Sequence, residues 1–296
     1  MGQWIWINGS IMPMGDARID VQDRGFQFAD GVYEVVRVYQ GRCFTLAEHL
    51  DRLSKSAEAV GISLPISTSA LAEQIRKFVV LESLHEGMIY LQLTRGVAER
   101  NHVYPADIKP TLLFYASLLD PLPPVGGGAG FKLLPVPDER WRKCWIKSIA
   151  LLANILAKNQ AAAAGYDEAI FIDDGRCTEG ASTNFFAVID GIVATAPKGP
   201  KILPGITRQV LIDVARTAGV SIIERPILES EIASATELFI TSSTREVMWV
   251  SHWGEREVSK SAGPITRKLH EAFRDWVRKD TGLENPHAIP ASPVPA

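Results

Sequence analysis

Cysteine is scarce in this chain of 296 residues: Cys43, Cys144 and Cys177 are an odd number without metal-type spacing. That pattern argues against a disulfide framework and suits reduced thiols in a cytoplasmic protein. The histidines likewise show no ligand clustering, so no metal is expected. A basic excess is missing too, since 31 Lys and Arg against 34 Asp and Glu leave a net charge of -3. Without a dense basic cluster, nucleic acid is not an expected partner. No apolar run reaches membrane-spanning length, and the start, Met1-Gly2-Gln3-Trp4-Ile5-Trp6-Ile7-Asn8-Gly9, lacks a basic segment before a long apolar stretch. No membrane contact is therefore expected. Apolar residues are plentiful at 46%, enough for a large core in one big domain or two packed ones.

Asn8-Gly9 between Trp4–Ile7 and Ser10–Met14 predicts an opening hairpin, because both residues tolerate the positive backbone angles of a tight turn. Thr45, with Glu48 three residues on, reads as the cap of a helix running to about Val60 and closed by Gly61. A second helix is expected over 69–83, and buried strands over 88–94 and 111–117. The Pro- and Gly-rich stretch 120–130 can continue neither helix nor regular strand, and is expected to link a small α/β domain (1–119) to a larger one (131–282). In that second part helices are expected over 149–164, 207–219 and 264–279, with turns at Asp174-Gly175 and Asp190-Gly191 and a strand over 237–242. The end, 283–296, holds Pro286, Pro290, Pro293 and Pro295 and is expected to be a disordered tail.

Three features carry chemistry. Lys147 lies in the apolar run Trp145-Ile146-Lys147-Ser148-Ile149-Ala150-Leu151-Leu152, where desolvation favours the free, nucleophilic amine. Glu179 leaves a turn beside the small residues Gly180, Ser182 and Asn184, which leave room for a planar ligand. Gly205-Ile206-Thr207-Arg208 opens a helix whose free N–H groups can receive a phosphate. An amine, a carboxylate against a ring nitrogen and an anion site together suit pyridoxal phosphate. Singly, each has an ordinary reading: a snorkelling lysine at a strand edge, an exposed loop glutamate, a plain helix cap. Lys143 and Lys158 sit in more polar stretches. Thr241-Ser242-Ser243-Thr244 offers hydroxyls after an apolar strand, and Arg52 could clamp the same phosphate from the first long helix. Arg100 and His102, two apart in a polar loop, could converge on one carboxylate. Tyr33 reads as a packed strand aromatic and His49 as a helix-surface residue.

Taken in order, Asp23-Arg24-Gly25-Phe26-Gln27-Phe28-Ala29-Asp30-Gly31-Val32-Tyr33-Glu34, Glu48-His49-Leu50-Asp51-Arg52-Leu53, Ile146-Lys147-Ser148, Glu179 to Asn184 and Leu203 to Arg208 resemble the fold-type IV pyridoxal-phosphate enzymes. The resemblance runs from residue 3 to about 280 and is nearest to the D-amino-acid transaminases. It implies an α+β chain with a small α/β domain and a larger pseudo-barrel domain, the cofactor between them, and a homodimer completing each site. It also implies that Lys147 binds the cofactor covalently and moves the substrate proton, while Glu179 faces the ring nitrogen. Arg52, Ile206, Thr207 and Ser243 would hold the phosphate, and Leu203 would pack on the ring. Tyr33, Arg100 and His102 match the group that traps the substrate carboxylate in D-specific enzymes. The implied activity is ping-pong transfer from a D-amino acid such as D-alanine to a 2-oxo acid such as 2-oxoglutarate. Branched-chain or (R)-amine transaminase and aminodeoxychorismate lyase are alternatives on the same scaffold, and a noncatalytic cofactor-binding protein is one outside it. Trp145 replaces a small acidic residue two positions before the lysine, which bears on substrate breadth, and Ala181 replaces a serine, removing one hydroxyl contact.

Overall fold

The computed structural model describes residues 2–287, which form two sheets with helices packed on each. The first sheet contains β1 (Trp4–Ile7), β2 (Ser10–Pro13), β3 (Gly31–Tyr39), β4 (Arg42–Cys43), β5 (Gly87–Thr94) and β6 (Thr111–Leu118), in the order β2-β1-β6-β5-β3-β4. Its neighbouring strands all run antiparallel. The opening hairpin turns at Asn8 and Gly9, both at positive φ, as the sequence predicts. A short helix, α1 (Arg24–Phe28), precedes β3, and α2 (Leu46–Ala59) and α3 (Thr68–Leu81) cover the sheet. Leu46, Leu50, Leu53 and Ala57 recur at helical spacing, so α2 presents one apolar face, which packs with Val32, Val36 and Val38 of β3. Thr45 does not cap α2 with its side chain. It adopts the left-handed conformation, its hydroxyl has no partner among the described residues, and its N–H donates to Asp280 instead.

The second sheet contains β7 (Phe131–Pro137), β8 (Glu168–Asp173), β9 (Arg176–Gly180), β10 (Asn184–Ile189), β11 (Ile192–Thr195), β12 (Ile222–Glu224), β13 (Ile227–Leu228), β14 (Glu237–Ser242), β15 (Glu246–Trp253) and β16 (Arg256–Glu257). A chain of pairings joins β10, β14, β15, β7, β8 and β9, and the Asn184–Glu179 pair between β10 and β9 closes it into a ring. This is the expected pseudo-barrel. The all-apolar run of β10 follows from burial on both faces: Phe185, Ala187 and Ile189 enter one core, Phe186 and Val188 another. The outer core includes residues of α5 (Ile206–Thr217) and α6 (Pro264–Thr281). A further helix, α4 (Leu152–Ala163), begins three residues after the expected start at Ile149. The difference has a cause: residues 147–149 pair with β3 instead, through Tyr33 N–H to the Lys147 carbonyl and Ile149 N–H to the Gly31 carbonyl.

No helix or strand occupies 119–130. The expected disordered tail does not begin at 283. Leu283 packs on the outer core, the Asn285 carbonyl accepts from Gln40, and His287 meets Glu246 at 2.6 Å. The rest of that stretch, 288–296, lies outside the described residues.

Glu246 anchors this region. Its buried carboxylate accepts from Tyr39 Oη at 2.8 Å and Arg274 Nε at 2.9 Å and bonds His270 and His287, while its own backbone stands at φ 58. Burial works to raise its pKa, but the His270 and His287 bonds and the Arg274 charge hold the carboxyl well below the ordinary 4.5. Its stabilisation is therefore complete above the unfolded pKa and is lost as pH falls through the folded one. Glu246→Gln leaves Arg274 buried without its counter-charge, and we expect about 3–5 kcal/mol of destabilisation. Urea unfolding at neutral pH measures it, and the gap to wild type should narrow below about pH 4.5.

Candidate active site

The pairing of 147–149 with β3 brings Lys147, from the segment between β7 and α4, to the edge of the first sheet. The Lys147 N–H donates to Ser56 Oγ of α2, and its Nζ stands 4.3 Å from the centroid of the Tyr33 ring. Tyr33 and Val35 alternate with the core residues Val32 and Val36, so β3 turns its other face to a cavity of about 320 Å³. Lys147 lines that cavity.

Glu179 closes the ring of strands on the same cavity. Only 5% exposed, it is no loop glutamate. Its Oε1 accepts from Arg140 Nη1 at 2.6 Å, and its Oε2 accepts from Asn184 Nδ2 at 3.0 Å and the Leu203 N–H at 2.9 Å. Burial outweighs these donors and pushes the carboxyl up to about 7. For Arg140, burial works against the charge, but Asp138 first and Glu179 second hold its pKa above the ordinary value. A cationic ring nitrogen in the cavity would draw Glu179 back towards ionisation.

The start of α5 faces the same space. Its cap, Gly205, has no side chain, so the first N–H groups of the helix stay open beside Ile206 and Thr207. Glycine is required for close packing here, since a Cβ would collide with Asn184 Oδ1, whose amide is fixed by Glu179 and the Leu203 carbonyl. Ser242 at the end of β14, with Ser243 and Thr244 in the turn that leads to β15, completes this end. Thr183 and Thr241 also line the cavity, and their buried hydroxyls have no partner among the described residues.

Arg52 reaches the cavity from α2 with its fork side-on to Glu34, at 2.6 and 2.9 Å, and a third bond to the Pro204 carbonyl at 3.0 Å. The remaining N–H groups of its five are free to hold an anion. Burial tends to raise the Glu34 carboxyl, yet Arg52 and His49 hold it well below the usual range. His49 is not on the helix surface as expected: it is 1% exposed and bonds Glu34 at 2.7 Å. Burial pulls the His49 pKa down against the attraction of Glu34, so the charge pair is Arg52 with Glu34.

Of the sequence candidates, the cavity thus unites Tyr33, Arg52, Lys147, Glu179, Leu203, Ile206, Thr207 and Ser243. Arg100 and His102 do not line it. They lie on an exposed loop against Phe28, with the Arg100 guanidinium 4.4 Å and the His102 ring 5.7 Å from its centroid. Trp145 is also outside, 40% exposed, whereas Trp141, Cys144 and Ile146 border the cavity. Ala181 lines it and donates its N–H to the Ala169 carbonyl. Lys158 is engaged by Glu168 and the Asp167 carbonyl. Sequence reasoning missed Arg140, one of several charged residues in the run from Asp138 to Lys143 with nothing to single it out. Glu34 carried a signal in retrospect: a carboxylate at an inward position between Val32 and Val36 needs a buried partner.

The model of the amino-transferase class IV family matches residues 31–253. A D-alanine aminotransferase of Bacillus licheniformis is 37% identical over 278 residues, covering 94% of this chain and 98% of its own. A D-alanine aminotransferase of Listeria monocytogenes is 38% identical, covering 94% and 97%. Among solved structures, the branched-chain amino acid aminotransferase of Escherichia coli superposes with a TM-score of 0.86 at 24% identity, over 96% of each chain, a likeness of fold. A branched-chain amino acid aminotransferase from T.th., solved with pyridoxamine 5'-phosphate, gives 0.85 at 25% identity, over 97% of each. Since the family match begins where β3 delivers Tyr33 and ends with β15, enclosing every strand of the ring and the whole lining named above from Tyr33 to Ser243, this chain belongs to the class IV aminotransferases, with the fold-type IV architecture.

Proposed function

We propose that the enzyme is a pyridoxal-phosphate transaminase that moves the amino group of D-amino acids, D-alanine among them, to 2-oxo acids such as 2-oxoglutarate. The observation that carries this reading is the convergence of Lys147, Glu179 and the open start of α5 on one cavity. The unpartnered hydroxyls of Thr183 and Thr241 in its wall fit a ligand rich in acceptors. D-alanine aminotransferases related over nearly the whole chain support the choice of substrate.

When bound, the cofactor supplies an aldehyde that takes up the amino group and a pyridinium ring that accepts the electron pair released at Cα. Lys147 would hold it covalently and would carry the proton on and off the substrate Cα from one side. Glu179 would keep the ring nitrogen protonated, with Arg140 and Asn184 fixing its carboxylate for that task. Arg52, the N–H groups of Ile206 and Thr207, and Ser243 would hold the phosphate, while Leu203 would pack on the ring. Tyr33 orients the substrate carboxylate, which decides which Cα hydrogen faces Lys147 and hence the enantiomer.

Arg100 and His102 act in the site of a second copy in this reading, so the working form is a homodimer of two-domain subunits, small 1–119 and large 131–282, in the cytoplasm. Their loop supports this by exposing Val103 and Tyr104, with Phe26 and Val97 also exposed. Turnover of D- and L-amino acids with 2-oxoglutarate tests the proposal. D-alanine should be consumed with formation of D-glutamate; use of L-leucine in its place would assign a branched-chain enzyme, and pyruvate release from aminodeoxychorismate a lyase.

A further inference from the structure

Besides the groups assigned above, the cavity is lined by Phe131, Lys158, Glu168 and Arg245. Its cations differ in how they are engaged. Arg52 is held by Glu34, Arg140 by Asp138 and Glu179, and Lys158 by Glu168, while Lys147 is the reactive amine. Arg245 alone among the remaining lining cations has no carboxylate and no hydrogen-bond acceptor within reach among the described residues. Its guanidinium lies 5.5 Å from the centroid of the Phe131 ring, and the residue is exposed.

The root of this side chain is fixed although its tip is free. Arg245 ends the turn between β14 and β15, where Ser242 pairs with Glu246, and the next residue, Glu246, is tied to Tyr39, His270, Arg274 and His287. Phe131 supports the guanidinium face and leaves its in-plane donors open. A planar fork with open donors on a rigid base, beside a cavity whose other guanidinium groups are already paired with carboxylates, matches one kind of ligand group: a carboxylate bound bidentately.

We propose that Arg245 is a specificity-determining residue that binds the distal carboxylate of dicarboxylic substrates, of the chain length of glutamate and 2-oxoglutarate. The inference rests on the transaminase reading and adds to it the class of amino acceptor. Monocarboxylic substrates occupy the same site without using Arg245, so loss of this side chain should separate the two classes.

The test uses the cofactor-loaded enzyme, Arg245→Ala and Arg245→Lys. With D-alanine as donor, kcat/KM for 2-oxoglutarate should fall about ten- to a hundredfold in Arg245→Ala, the range of a lost charge-assisted hydrogen bond, and that for 2-oxobutyrate should hold. The lysine variant should recover part of the loss. Glutarate should inhibit wild type more strongly than butyrate does, and that preference should vanish in Arg245→Ala. Equal losses with both acceptors, no loss with either, or weakened cofactor retention would overturn the proposal, the last by assigning Arg245 to the phosphate. If wild type moves no amino group to either acceptor, the transaminase reading is at fault; in that case, or where only 2-oxoglutarate is used, glutarate binding, measured by thermal shift, decides Arg245 separately, and equal binding by wild type and Arg245→Ala would overturn it.

Discussion

Lys147→Ala is expected to lose turnover by at least about a thousandfold, the scale of a positioned proton-transfer group combined with the loss of covalent attachment. The size follows from the cavity's make-up. Lys158, the other lysine in its wall, is engaged by Glu168 and the Asp167 carbonyl, so no second free amine stands ready. The contacts at the start of α5, at Arg52 and at Glu179 remain intact, so the variant should still bind the cofactor, reversibly. Dialysis should then strip it from the variant but not from wild type. Folding should be nearly unaffected, because the bonds that fix this segment are made by the Lys147 backbone: N–H to Ser56 and carbonyl to Tyr33. Near-normal turnover in a well-folded Lys147→Ala protein would remove Lys147 from the mechanism.

Glu179→Gln is expected to lower kcat by about a hundredfold or more, typical of removing a preorganised charge aimed at the reacting group. The amide can still meet Arg140 or Asn184 with its oxygen, so the ring of strands should close as before, but it carries no negative charge for a protonated ring nitrogen. A second signature comes from pH. Burial raises the Glu179 carboxyl from 4.5 to about 7, so the folded, cofactor-free protein holds a proton there that the unfolded chain has released. Stability from this group is present at low pH and declines as pH rises through that window. Glu179→Gln, which does not titrate, should lack the decline. Thermal unfolding of both cofactor-free proteins between about pH 4.5 and pH 7 reads the difference.

Much of this is legible in the sequence because the signals are local. Asn8-Gly9, Asp174-Gly175 and Asp190-Gly191 mark their turns by conformational preference, and α2 and α5 announce themselves by apolar spacing. Lys147 and Glu179 stand out because a charge in an apolar or small-residue setting is costly unless used. What stays hidden depends on contacts between distant segments. His49 looks like a surface residue until β3 brings Glu34 against it, and Arg140 looks solvated until the ring closes over Glu179. The start of α4 is obscured for the same reason: Ile149, Ala150 and Leu151 are apolar enough to begin the helix, yet the edge of β3 draws residues 147–149 into sheet hydrogen bonds. The end of the chain misleads because proline content speaks against regular structure, not against docking, and His287 docks on Glu246.

One cavity, walled by both sheets, takes the amino group from the D-enantiomer. The most direct test is a half-reaction: cofactor-loaded protein, no acceptor, one amino acid added at a time, with the visible absorbance of the cofactor followed. D-alanine should bleach that band and release pyruvate in proportion to enzyme, and L-alanine and L-leucine should leave it unchanged. An unchanged band with D-alanine, or bleaching by L-leucine instead, would contradict the account.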